Sequence, residues 1–116
     1  MTPETFVTQI RKSVIADNLA IYKDLYESTP PESASDPYWV KSLNLYASLD
    51  EEQRAVLFEI MRQTMSDTIS NLFGVIDGVS TLEDADEELK LLTADGNEEM
   101  SGDLQDLFLE QEEENA

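Results

Sequence analysis

Leu57, Met61, Met65, Ile69, Leu72, Ile76 and Val79 recur at steps of three and four over more than twenty residues. No other stretch of the 116-residue chain constrains its fold as strongly. That period places one apolar face along a helix of six or more turns, whereas a strand would need alternation by twos. Asp50, followed three positions later by Gln53, forms a capping-box pattern, and Leu49 stands where a hydrophobic staple would. The spacing predicts a helix over 50–79, the spine of the fold. Leu57, Met61, Met65, Ile69, Leu72 and Ile76 are its expected core contribution.

The end of that helix is unusual. In MSDTISNLFGVIDGVST, residues 65–81, two glycines and two aspartates interrupt the pattern. At 100° per residue, Gly74, Asp67 and Asp77 fall on the polar side with Glu59, Gln63, Ser66 and Ser70. Asp67 and Asp77 are ten residues, or about 15 Å of rise, apart and cannot share an ion. Asp67 and Asn71, one turn apart, read as a solvated carboxylate beside a satisfied amide. A helix-interior glycine costs about 1 kcal/mol relative to alanine, so Gly74 and Gly78 are expected to admit another backbone. Asn71 and the neighbouring threonines would supply hydrogen bonds to it, and Gly78 also suits a C-terminal cap.

Two further helices precede the spine. Phe6, Val7, Ile10, Val14, Ile15, Leu19, Ile21, Tyr22, Leu25 and Tyr26 give an amphipathic period over 4–28, with Pro3 suited to the first turn. STPPESASDP, residues 28–37, ends it. Asp36 before Pro37 is a helix start, and a helix over 37–48 follows. Its apolar residues cover much of its circumference, which predicts burial on several sides, with Trp39 and Leu43 in the core.

After residue 79 the pattern changes. STLEDADEEL, residues 80–89, could open a short helix, and ELKLLTADGNEEMSG contains an Asp95–Gly96 turn of the kind hairpins use. Asp103 could cap a short helix through Leu104, Leu107 and Phe108 that docks on the spine. The expected fold is mainly α: three principal helices in a small bundle, with a short β-hairpin and a short C-terminal helix. Residues 1–79 form the helical body and 80–116 an acidic segment packed on it, within one domain. Residues 110–116 are expected to be a solvated, frayed tail.

Charge bounds the function. The chain holds 26 acidic and 7 basic residues, for a formal net charge of −19. Residues 1–62 carry only −4 of it, while 63–116 carry −15 with Lys90 as the sole cation. Such a field repels nucleic acid phosphates and anionic lipid and draws in cationic partners. With no cysteine and no histidine, disulfides, thiol nucleophiles and imidazole-based triads or metal sites are excluded. Neither a secretion signal nor a run of about 20 apolar residues is present, which predicts a cytoplasmic protein.

Three functional readings follow. The leading one is a non-enzymatic, acidic interaction module, comparable in composition to inhibitors, immunity proteins, antitoxins and nucleic-acid mimics, with no cofactor. Its expected contact residues for a basic protein are Glu83, Asp84, Asp86, Glu87, Glu88, Glu98, Glu99, Asp103, Asp106 and Glu110. An alternative is a carboxylate-based, magnesium-dependent nucleotide hydrolase, for which EDADEE, residues 83–88, would hold the metal and Arg11, Lys12, Arg54 or Arg62 the phosphate. The third is a self-associating helical domain whose acidity serves solubility. DGNEEMSGDLQD, residues 95–106, also places Asp95, Asn97, Glu99, Ser101, Asp103 and Asp106 at calcium-loop spacing. It lacks the loop's central glycine, where Met100 stands, and its final glutamate, where Asp106 stands.

Overall fold

The computed structural model describes all residues 1–116, and the starts of the first helix and of those expected at Pro37 and after Asp50 are present with their capping chemistry. Thr2 accepts from the Thr5 amide, and α1 (Pro3–Ile10) follows with proline in its first turn. A π-helical stretch, Arg11–Ala16, continues without a break into α2 (Asp17–Ser28). Eight residues of regular helix would set Ile15 about 80° round from Val7. The residue inserted by a π-turn brings the two onto one side, and both are buried in the same cluster.

Pro31–Ser33 forms a 3₁₀ turn, after which Asp36 accepts from the Tyr38 amide and Pro37 opens α3 (Pro37–Ser48). Asp50 and Gln53 cap α4 (Glu51–Ile76) reciprocally, at 2.8 and 3.0 Å. The last helix is α5 (Leu104–Glu114). No helix is long and apolar enough to cross a membrane.

Two clusters hold these elements, and α4 belongs to both. Its first half contributes Phe58 to a cluster with Tyr26, Leu43 and Tyr46 from α2 and α3, with Trp39, Leu57 and Met61 packed against it. Arg54 lies over the Tyr46 ring at 4.3 Å and donates to the Tyr46 carbonyl, tying α4 to the end of α3. Its second half contributes Ile69 and Phe73 to a cluster with Val7, Ile15, Leu104 and Phe108. The molecule measures 51 × 34 × 25 Å, with a radius of gyration of 17.8 Å. A chain of this length packed around one centre would have a radius of about 13 Å.

Several expectations need correction. No β-strand forms: Leu92 and Glu99 make one isolated antiparallel bridge around the Asp95–Gly96 turn, so the predicted hairpin is a closed loop. Two backbone bonds close it, Thr93 N to Glu98 O and Met100 N to Leu91 O. Residues 80–89 form no helix. In α3 only Leu43 and Tyr46 are buried, while Tyr38 and Leu45 stand exposed, because just one side of α3 meets the body.

The phase of α4 is also rotated from the expected one. Leu72 is 57% exposed, and Phe58 and Phe73 take core places instead. Ser66, Ser70 and Gly74, on the expected polar side, are buried because α5 covers them. What Gly74 admits is a side chain: a Cβ there would sit 2.7 Å from the Gln105 amide nitrogen, which donates to the Ser70 carbonyl. Gly78 meets nothing, but its φ of +80° ends the helix, and Val79 N and Ser80 N turn back to Gly74 O. Thr64 and Thr68 donate to carbonyls of their own helix.

The tail is helical through Glu114, with Glu112 inward rather than solvated. Docking of α5 therefore sets the stability of this half of the molecule. Truncating fully buried Phe108 to alanine is expected to cost about 3–5 kcal/mol. Leu72→Ala should cost no more than about 0.5 kcal/mol. Urea unfolding followed by circular dichroism measures both.

Candidate functional site

Beyond Gly78 the chain leaves the helix, and every residue from 80 to 90 is exposed. Within it a single backbone hydrogen bond, Ala85 N to Leu82 O, closes a turn. The segment rejoins the body at Leu91, whose amide donates to Ser101 Oγ at 2.9 Å. Met100, just beyond the Thr93–Glu98 turn in the chain, is buried. That turn is held by Asp95, which accepts from Thr93 Oγ1 at 2.6 Å and the Asn97 amide at 2.9 Å. The Thr93 hydroxyl and then the Asn97 amide hold the Asp95 carboxyl below its ordinary range.

Between this exposed span and the last turn of α4 lies a cleft of ≈ 440 Å³. Val75, Ile76 and Gly78 line it from the end of α4, and Asp86, Glu87, Glu88 and Glu99 line it together with one cation, Lys90. Asp77 also borders it, but its carboxylate is already engaged: it accepts from Gly102 N at 2.7 Å and Gln105 N at 2.8 Å. It thus caps α5 from a neighbouring helix. Asp103, the expected cap, makes no such bond.

The structure brings together only part of the expected contact surface. Asp86, Glu87, Glu88 and Glu99 share the cleft, and Glu83 and Asp84 line a shallower hollow beside it with Asp86. Glu98 lies apart, paired with the chain's terminal amine at 3.2 Å. Asp103, Asp106 and Glu110 are exposed along α5, outside the cleft. Of the calcium-spaced residues, Asp95 serves its turn and Glu99 accepts from Ser101, and no three carboxylates of the chain gather around one point. Asp67 accepts from Gln63 on the exposed side of α4, with Asn71 also exposed.

The most perturbed carboxylate is one the sequence reading placed in the tail. Glu112 Oε2 accepts from Arg62 at 2.8 Å and Arg11 at 2.9 Å, and its side chain is 12% exposed. Burial alone would raise its pKa. Hydrogen bonds from Arg62 and Arg11, with the Ser66 hydroxyl beside them, outweigh burial and hold it at about 2 against an ordinary 4.5. Its other oxygen, Oε1, is buried without a hydrogen-bond partner. No spacing in the sequence joins residues 11, 62 and 112, and only the docking of α5 does.

Nothing among family models, curated proteins or solved structures matches the chain.

Two outcomes follow from this geometry. A carboxyl with a folded pKa below its unfolded value contributes stability in full above about pH 4.5 and loses it as pH falls towards 2. The contribution is on the order of 2–3 kcal/mol, discounted because Arg62 is partly exposed. Acid titration of unfolding should therefore be shallower for Glu112→Gln than for the parent chain across that window. Asp77→Ala removes the cap of α5 and is expected to cost about 1–2 kcal/mol, read from the urea midpoint.

Proposed function

We propose that the chain is a non-enzymatic interaction module whose acidic end receives a basic protein segment. The observation that carries this is the cleft beside the end of α4, whose lining brings four carboxylates and one lysine together with the apolar Val75 and Ile76. Lysine and arginine side chains suit such a site, since their apolar stems can lie on Val75 and Ile76 while their charged heads meet the carboxylates. The exposed 80–90 span can adjust to a partner without disturbing either core, because it contributes no buried residue.

The nucleotide-hydrolase reading needs acidic runs on facing helices and cations near them. Here EDADEE stands on a span without helix. Arg11 and Arg62, two of the cations it would borrow, are committed to Glu112.

A fluorescently labelled lysine- and arginine-rich peptide tests the proposal by anisotropy. Binding should weaken at least about tenfold as salt is raised from 0.05 to 0.5 M. It should also weaken when Asp86, Glu87, Glu88 and Glu99 are changed to their amides. An equal loss on neutralising Asp24, Glu27, Glu32 and Glu51, at the other end of the molecule, would refute the cleft as the site.

A further inference from the structure

The chain exposes more surface than its size requires. A folded monomer of 13.1 kDa exposes about 6,400 Å² on the scaling of globular proteins, whereas this one exposes 8077 Å². The excess, about 1,700 Å², is roughly twice what each partner contributes to an interface of standard size. Some of the exposed surface is apolar and lies on α2.

On α2, Ile21 is 58% and Leu25 38% exposed. Residues two apart on a helix point in nearly opposite directions. Lys23, between them, reaches over the Phe58 ring of α4 at 5.5 Å, so Ile21 and Leu25 face away from α4. One turn earlier on the same side stands Asn18, which is half-buried, and one turn before that Val14, which is exposed. The steps from Val14 through Asn18 and Ile21 to Leu25 are four, three and four, the spacing of a coiled-coil seam. A single asparagine in such a seam fixes register in two-stranded pairs, where it meets its own counterpart.

We propose that this stripe is the interface through which two copies of the chain associate, in register, with Asn18 of each copy against Asn18 of the other. A second copy is the occupant because the stripe is complementary to itself: its apolar residues would meet apolar residues, and its one amide an amide. The stripe also lies in the half of the chain that carries only −4 of the net charge. Two copies can approach there against little repulsion, which the acidic end would not permit. This inference is independent of the proposed basic partner.

Sedimentation equilibrium of the full chain at micromolar concentration is the test. The expected mass is twice 13.1 kDa, falling to the single-chain value for Ile21→Glu and Leu25→Glu. Both sites are exposed in the protomer, so far-UV circular dichroism of the variants should match the parent. The paired change Val56→Glu with Ile60→Glu, on the outward side of α4, should leave the dimer intact. Asn18→Cys, in a chain with no other cysteine, should cross-link between copies under mild oxidation. A parent chain that stays monomeric would overturn the proposal. So would dimers that survive Ile21→Glu and Leu25→Glu, or that are lost with the α4 pair instead.

Discussion

One helix has to be buried by different partners at its two ends, and the rest of the molecule follows from that. At 1.5 Å per residue, the 26 residues of α4 span about 39 Å, longer than a small core can cover from one centre. The chain solves this with two clusters placed end to end. The α1–α2 helix runs antiparallel alongside both, α3 closes one and α5 the other. The elongated outline and the large exposed surface are consequences of this arrangement.

Packing of α5 is governed by two carboxylates that act in opposite directions along it. Asp77, at the end of α4, accepts from amides at the start of α5. Glu112, near the end of α5, accepts from Arg62 on α4 and Arg11 at the start of the π-helical stretch. Apolar contacts of Leu104 and Phe108 supply most of the driving force, because each removes a large side chain from water entirely. The polar ends set register: a slip of α5 by one residue would strand a buried carboxylate, which costs far more than an imperfect apolar contact. The acidity of the chain thus divides in two. Asp77 and Glu112 are structural, whereas the carboxylates of 83–88 are exposed and Glu99 accepts only from a neighbouring serine within its own loop.

Local chemistry was legible in residue order. The starts of α1, α3 and α4 depend on a proline or a capping side chain within three residues of the amides they satisfy, and each stands where the pattern placed it. The turn at Asp95 was equally local, although no strand extends from it. The proposed acidic contact surface was legible only as a list. Four of its ten residues share a cleft, and the others are dispersed over the neighbouring hollow, the terminal amine and α5.

By itself, the sequence determined the helix-built class, the positions of three capped helix starts and the lopsided charge, because propensity, capping and charge are properties of neighbouring residues. Only tertiary structure decided that Ser66, Ser70 and Gly74 are interior, that Leu72 is not, and that Glu112 is a buried partner of two arginines. Periodicity reveals one apolar face of a helix, but a second face covered by a helix thirty residues away leaves no period of its own. Which polar side chains are buried therefore depends on where α5 docks, a contact between segments that no local pattern encodes.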